Sequence, residues 1–154
     1  MSTADDPTCF REQSSRSSTP APYPVNTPAT SYRRSFPYGI AACEDKPYDY
    51  PYQWSYPNTW PPVCFYTVMG LARYGYGEEA ERIAVKWMKA VTESFKTTGN
   101  LWEKYNVETG TTDVSNEYEM PAMLGWTAGT FICLDDYLAG EMQPDPLPTE
   151  YMSY

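Results

Sequence analysis

The sequence has 154 residues, a formal net charge of −9 and no histidine. This length fits one modest domain, and the negative charge argues against binding to nucleic acid or to an anionic membrane surface, because both would need a basic face. Without histidine, any general base must be Asp, Glu, Lys, Tyr or Cys, which excludes Ser-His and Cys-His hydrolase schemes and most histidine-ligated metal sites.

The cysteine pattern indicates neither a metal site nor a redox motif. The four cysteines are widely spaced and form no CxxC pair, so no bound metal or cofactor is expected. Cys64 and Cys133 lie in apolar runs and are expected to be reduced core residues. The N-terminus lacks an apolar signal core, and no run approaches the length of a membrane span. The default expectation is therefore a cytoplasmic chain without an export signal.

Both ends of the chain differ in composition from its middle. Residues 1–46 are rich in Ser, Thr and Pro, and their few apolar residues recur with no period. Such a segment cannot bury enough apolar surface to offset the entropy lost on ordering, so we predict a disordered tail over 1–46. Residues 141–154 carry three prolines and are predicted to be frayed. The folded part is then expected at residues 47–140.

Residues 47–62 are crowded with aromatic residues and prolines. Proline disfavours helix in the residue before it, so this segment is predicted to be a stiff, extended loop. Rings on such a loop could stack on the apolar faces of sugars, while Gln and Asn amides could bond sugar hydroxyls. The same composition would suit a coil that packs its rings against neighbouring helices, and the sequence leaves both interpretations open.

Two helices joined by a tight turn are predicted next. Pro61 suits the first turn of a helix, and the run Gly75-Tyr76-Gly77 is typical of a helix end. The following segment opens on acids such as Glu78, which suit a helix N-terminus, and then shows apolar residues at i, i+3, i+4 and i+7 as far as Gly99. The sequence therefore predicts an αα-hairpin.

A third helix is predicted to begin between residues 121 and 125 and to end at Gly140. It has a wide apolar face. Gly125 and Gly129 lie four residues apart and would allow close approach of a neighbouring helix or a ligand. Together with the hairpin, this helix predicts an all-α fold class.

Between the second and third helices, residues 102–106 and 116–119 place carboxylates beside aromatic residues. Loops on a helical scaffold are common positions for catalytic groups. The pKa of a carboxyl group rises in an apolar setting and falls beside cations or donors, so such a group can be tuned for proton transfer. Glu103 is the candidate. The alternative is that Glu103 and Lys104 are solvated loop charges beside core aromatics.

Three blocks of this sequence, in order, resemble the C-terminal part of the trehalases of glycoside hydrolase family 37. Residues 53–62, QWSYPNTWPP, resemble the family signature QWDxPNGWxP, and residues 103–106, EKYN, resemble its EKYD. Glu117-Tyr118 followed by residues 125–129, GWTAG, resembles GEY…GWTNG. The resemblance covers roughly residues 50–138.

The resemblance implies an (α/α)6 barrel of the six-hairpin glycosidase kind and an inverting hydrolysis of α,α-trehalose to two glucose molecules. By position, Glu103 matches the catalytic general base, and Glu117 matches an acid that contacts the substrate. The other residues that the resemblance places at the substrate are Gln53, Trp54, Asn58, Trp60, Tyr105 and Trp126.

Four features depart from the family pattern. Ser55 and Asn106 stand where the motifs have Asp, and Thr59 stands where the signature has Gly. Residues 111–116 replace a glycine-rich run before GEY. The last change alters a loop near the site, so the expected substrate is trehalose or a related glucoside.

The resemblance also implies that one catalytic group lies outside the matching blocks. An inverting glycosidase uses two carboxyl groups about 6.5–9.5 Å apart, so that a water molecule fits beside the base. The family's general acid is an aspartate upstream of the first block, where this sequence has its Ser/Pro-rich segment. Asp45 and Asp49 lie in no matching motif.

The expectation is therefore a C-terminal fragment of a trehalase-like hydrolase. It would form a partial (α/α)6 barrel, inactive alone and dependent on the missing N-terminal half. The alternatives are a non-catalytic carbohydrate-binding module and a small helical interaction module. A disaccharide would bind to a trehalase-like fragment or a carbohydrate-binding module and not to a helical interaction module.

Overall fold

The computed structural model describes residues 36–47, 49–122, 125–145 and 147. This part of the chain is mostly helical, with a small antiparallel sheet. In chain order the elements are β1 (Asn58–Thr59), α1 (Pro61–Arg73), α2 (Gly77–Thr98), β2 (Tyr105–Asn106) and α3 (Gly125–Ala139). None of the described helices is both long and apolar enough to cross a membrane.

The predicted αα-hairpin is confirmed by α1 and α2, which pack against each other. Proline occupies the first turn of α1. Gly75 has φ +84° in the turn, a backbone conformation that side chains with a Cβ rarely adopt. Glu78 and Glu79 lie in the first turn of α2, where they favour the positive end of the helix dipole. Gly99 ends this helix in the left-handed conformation, with φ +71°.

The third helix is also confirmed, and it ends just before Gly140 as predicted. Its two glycines do not support a close approach within the described part of the chain. A Cβ added at Gly125 or Gly129 would meet nothing within 4 Å among the described residues. No described residue covers the face that carries them.

The two-stranded sheet is a feature that the all-α prediction lacked. Its register pairs Asn58 with Asn106 and Thr59 with Tyr105. Strands of two residues are too short to show an alternating hydrophobic pattern, so no periodicity in the sequence could reveal them. The sheet matters because it joins the Pro/Tyr-rich loop before α1 to the segment that carries Glu103.

The core lies between the helices and this sheet. Trp87 of α2 is fully buried and meets the buried ring of Tyr105 edge to face, with the ring centroids 6.3 Å apart. Cys64 is buried and free, as predicted, and burial raises the pKa of its thiol well above the usual range. Cys133 is also free but only partly buried. The buried core cluster comprises Cys64, Val68, Ala80, Ile83, Ala84, Trp87, Ala90, Val91, Tyr105, Leu134 and Tyr137.

Part of the predicted disordered tail is ordered. The Tyr38 N–H donates to the Val107 carbonyl at 3.1 Å, and the Ala42 N–H donates to the Asn58 carbonyl at 3.0 Å. Tyr38 and Ile40 pack against the core cluster. The expectation is therefore corrected for residues 36–42, because a few apolar side chains and backbone bonds suffice to order a short segment. Residues 1–35 lie outside the described residues, and the prediction stands untested there.

The segment after α3 stays close to the helix in its first residues. The backbone N–H groups of Glu141 and Met142 donate to the Asp136 carbonyl at 2.9 and 3.1 Å. Met142 packs against the core cluster. The predicted frayed end is thus ordered at its beginning, and residues 146 and 148–154 lie outside the described part.

Replacing Gly110 by Ala is expected to destabilise the fold through Tyr38. Gly110 has φ +70°, and a Cβ there would lie 2.6 Å from the Tyr38 ring. Backbone strain and the displaced ring together should lower the free energy of unfolding by about 2–4 kcal/mol, measured by urea denaturation. Gly75→Ala is the matched control, because Gly75 also has a positive φ but its Cβ would meet no atom of the described residues within 4 Å. Equal losses in the two variants would show that Tyr38 does not pack at this position.

Candidate active site

One buried amide ties together the segments that carry the predicted site. The Asn58 Nδ2 donates to the Gln53 carbonyl at 2.6 Å and to the Ser115 carbonyl at 2.7 Å, and its Oδ1 accepts from the Ser115 N–H at 3.0 Å. Because both ends of the side chain are used, Asn58 is satisfied although it is fully buried. The loop before α1 is thereby fixed against the segment that leads to Glu117.

Three tryptophans form one aromatic surface, here called the tryptophan platform: Trp54, Trp60 and Trp126. Trp54 stacks on Trp60 with the ring centroids 4.1 Å apart and 13° between the planes, and Trp126 meets Trp60 edge to face at 5.5 Å. Trp60 is buried, and its Nε1 donates to the Gln53 carbonyl at 3.0 Å. Trp54 and Trp126 remain 43% and 39% exposed, so the platform has a buried ring at Trp60 and two accessible rings beside it.

The Glu103 carboxylate is buried and held at both oxygens. Its Oε1 accepts from the Tyr118 hydroxyl at 2.7 Å, and its Oε2 accepts from the Lys104 ammonium at 2.7 Å. Only 6% of Glu103 is exposed and none of Lys104. The alternative interpretation of these two residues as solvated loop charges is therefore wrong.

Lys104 is an unexpected member of the site. Its ammonium lies 4.9 Å from the centroid of the Trp60 ring and 5.0 Å from that of Tyr118. Cations are attracted to the faces of aromatic rings, more strongly when water is excluded. Lys104 thus connects Glu103 to the tryptophan platform. Sequence reasoning missed this role because a lysine beside a glutamate is ordinarily solvated.

The remaining predicted residues divide between the open site and the core. The Glu117 Oε2 accepts from the Gln53 N–H at 3.1 Å, so Glu117 lies against the loop that carries Trp54. Tyr105 is fully buried, and its hydroxyl accepts from the Trp102 N–H at 3.0 Å. Burial raises the pKa of Tyr105 to about 12, with the Trp102 bond opposing the shift. Tyr105 therefore lies in the buried core cluster, and its contact with a substrate stays a prediction.

One departure from the family motif has a local explanation. The Asn106 Oδ1 accepts from the Glu108 N–H at 2.9 Å and the Thr109 N–H at 3.1 Å, while its Nδ2 donates to the Asp113 carbonyl at 2.7 Å. An aspartate could keep the first two bonds but not the third, because an ionised carboxylate donates nothing. Asn106 therefore suits the turn that follows β2 in this chain.

Replacing Glu103 by Gln is expected to lower the pKa of Tyr118. That pKa is raised to about 12 by desolvation of the hydroxyl, by its hydrogen bond to Glu103, and by the charges of Glu103 and Glu117. A neutral Gln removes the charge opposite the phenolate, so ionisation should move from about 12 towards the ordinary value of about 10. Ultraviolet absorbance at the tyrosinate band measures the titration, and the difference from Tyr118→Phe isolates this residue.

Glu119→Gln is the control for this titration, since Glu119 is exposed and is not among the groups that shift the pKa of Tyr118. It should leave the Tyr118 titration unchanged. An unchanged titration in Glu103→Gln as well would contradict the observed contact between the two side chains.

The site combines a surface for an apolar ring face with a carboxylate that is fixed at both oxygens. Each carboxylate oxygen of Glu103 has two lone pairs and is used once within the described chain, so each can accept a further bond from water or a ligand hydroxyl. Trp54 offers an exposed ring face. This arrangement can hold a sugar by stacking and take a proton from a nearby water molecule.

Comparison with known proteins places these residues in a family context. The family model described as trehalase matches residues 13–138. The chain is 40% identical over 84 residues to the trehalase of Tenebrio molitor. The aligned region covers 52% of this chain and 15% of that protein. It is 38% identical over 90 residues to a probable trehalase of Oryza sativa subsp. japonica, covering 55% of this chain and 16% of that protein.

A third match is the cytosolic neutral trehalase of Emericella nidulans, 48% identical over 56 residues, with 36% of this chain and 8% of that protein covered. The chain therefore spans less than a fifth of the length of each of these curated relatives.

Proposed function

The chain belongs to the trehalase family, and we propose that it carries the general-base side of the active site of a glycoside hydrolase that hydrolyses α,α-trehalose, or a related glucoside, with inversion. The observation that carries this proposal is the buried Glu103 carboxylate, held between the Tyr118 hydroxyl and the Lys104 ammonium. A carboxylate fixed in this way beside an open aromatic surface suits proton abstraction at a sugar.

In the proposed mechanism Glu103 takes a proton from the water that attacks the anomeric carbon. The leaving oxygen needs a second carboxyl group about 6.5–9.5 Å away, which acts as general acid. One glucose ring stacks on Trp54, and Gln53 and Glu117 bond its hydroxyls. The product is two glucose molecules, which places the reaction in trehalose catabolism.

We further propose that the helices belong to a partial (α/α)6 barrel. Trp60 directly precedes α1 and Trp126 lies in the first turn of α3, so both helices begin at the platform, and they pack against each other. Yet Tyr66 of α1 is 73% exposed and Ile132 of α3 is 59% exposed. Helices that are apolar on several sides are normally enclosed. Further helices of an inner ring would cover these faces.

In contrast, α2 is strongly amphipathic, with one buried apolar face and one polar face, as expected of an outer-ring helix. The proposed trehalase-like domain is residues 47–140, and the contacts of Tyr38, Ile40 and Met142 with the core cluster show that short flanking segments pack against it. The isolated chain is proposed to be inactive and to depend on an N-terminal half that supplies the general acid and the remaining helices.

Trehalose titration of the purified chain, followed by tryptophan fluorescence and by glucose release, tests the proposal. We expect saturable binding without turnover. Trp54→Ala should weaken binding by about tenfold, because a stacked ring is worth roughly 1.5 kcal/mol. Tyr66→Ala removes an even more exposed ring, from α1, and should leave binding unchanged.

The other outcomes separate the alternatives. Equal binding of trehalose and a linear glucan, without turnover, would favour a carbohydrate-binding module, and no binding would favour a helical interaction module. Glucose release by the chain alone, lost in Glu103→Gln, would contradict its proposed inactivity.

A further inference from the structure

Two buried amide oxygens near the platform have no hydrogen-bond partner among the described residues. They are the Oε1 of Gln53 and the Oδ1 of Asn116. A buried acceptor without a donor destabilises a fold, and native structures keep few of them. An uncompensated pair on two adjoining segments therefore calls for a donor that the described chain does not supply.

The orphaned atom of Asn116 is its oxygen and not its nitrogen. The Asn116 Nδ2 donates to the Val114 carbonyl at 3.3 Å. Turning the amide over would place two oxygens against each other, so the hydrogen-bond pattern fixes the orientation. The Asn116 Oδ1 therefore lacks a hydrogen-bond donor among the described residues.

Contacts on either side hold Asn116 at the site. The preceding residue, Ser115, exchanges two hydrogen bonds with Asn58, and the following residue, Glu117, accepts from the Gln53 N–H at 3.1 Å. Two residues further along, the Tyr118 hydroxyl donates to Glu103 at 2.7 Å. Asn116 thus lies between the loop that carries Trp54 and Tyr118, which holds the candidate base.

The acceptors in this region share one chemistry. Gln53 Oε1, Asn116 Oδ1 and the Glu117 carboxylate all accept hydrogen bonds. Beside them, Trp54 presents a 43% exposed ring face. A ligand that matches both features has an apolar face and several hydroxyl donors on its rim, which describes a pyranose.

We propose that Asn116 is a specificity-determining residue that accepts a hydrogen bond from one hydroxyl of the bound sugar. This rests on the proposed function, since it assumes that a sugar occupies the platform. The described chain shields the Asn116 oxygen, and residues 114–118 form no regular element. A small rearrangement of this segment on binding brings the oxygen to the hydroxyl and satisfies it.

The test compares Asn116→Ala with Asn116→Asp in trehalose titrations of the full chain. Alanine removes the acceptor and should weaken binding about five- to twentyfold. Aspartate keeps an acceptor and loses the bond from Nδ2 to Val114, so it should bind within about threefold of the native chain. Asn100→Ala, in the turn after α2, is the control and should bind normally. Without ligand, Asn116→Ala should melt close to the native temperature, because it deletes the unsatisfied oxygen together with the 3.3 Å bond from Nδ2 to Val114.

Monodeoxy analogues of trehalose identify the hydroxyl. One analogue should bind the native chain more weakly than trehalose does. The same analogue and trehalose should bind Asn116→Ala equally well, because the variant and the analogue each delete the same bond. Native affinity in Asn116→Ala would overturn the proposal. Equal weakening in Asn116→Asp and Asn116→Ala would assign the effect to the Val114 bond and also overturn it. Absence of trehalose binding by the native chain would overturn the proposed function together with this inference, whereas the first two results leave that function standing.

Discussion

A chimera of Tenebrio molitor trehalase that carries the matching segment of this chain is expected to hydrolyse trehalose and to lose about 10²–10⁴-fold in kcat when Glu103 becomes Gln. In the proposed mechanism the segment would supply the base, and the host would supply the general acid and the remaining helices. Gln keeps the size of the side chain but cannot take a proton from water. Steady-state glucose release measures the effect.

Glu119→Gln in the same chimera is the matched control. Glu119 is an exposed carboxylate one residue beyond Tyr118, and its neutralisation should leave kcat within about twofold of the parent. Equal activity in the Glu103→Gln chimera and its parent would contradict the assignment of the base. A folded chimera that binds trehalose but releases no glucose even with Glu103 intact would show that this segment no longer supports catalysis.

Replacing Lys104 by Met is expected to lower the free energy of unfolding of the chain by about 3–5 kcal/mol. The change leaves the Glu103 carboxylate buried without the cation that lies 2.7 Å away, and it removes the ammonium from the faces of Trp60 and Tyr118. Urea denaturation measures the loss. In the double variant Lys104→Met, Glu103→Gln, no uncompensated charge remains, so much of the stability should return.

Lys89→Met provides the comparison at an exposed site. Lys89 also lies over a ring, 5.1 Å from the Tyr38 centroid, and 3.8 Å from Glu93, but its side chain is 55% exposed. Solvent screens both interactions, so the loss should be roughly 0–1 kcal/mol. Similar losses at Lys104 and Lys89, or no recovery in the double variant, would contradict a buried pair at the site.

The helices of this fold could be predicted from the sequence because their signals are local. Pro61 at a helix start, Gly99 at a helix end and the apolar spacing of α2 each act within a few residues. The two-residue strands could not be predicted, since their pairing joins Asn58 to Asn106 across a long stretch of chain. The order of residues 36–42 could not be predicted for the same reason, because Tyr38 bonds to a distant segment of the chain.

The site also has features that the sequence could predict and features that it could not. The resemblance identified Glu103, Trp54 and Trp60 as candidates by motif. The burial of Lys104 and the hydrogen bond from Tyr118 depend on how three distant segments meet, and no spacing in the sequence encodes them. The position of Tyr105 shows the converse, since motif membership put it at the substrate while packing against Trp87 puts its ring in the core.

We propose that Glu103 lies beside a sugar-binding surface and acts there as a proton acceptor. A crystal structure of the chain with trehalose tests it most directly. We expect one glucose ring stacked on Trp54, with a water molecule bonded to the Glu103 carboxylate and facing the anomeric carbon. Trehalose bound away from the tryptophan platform, or bound there with the carboxylate out of reach of the anomeric carbon, would contradict it.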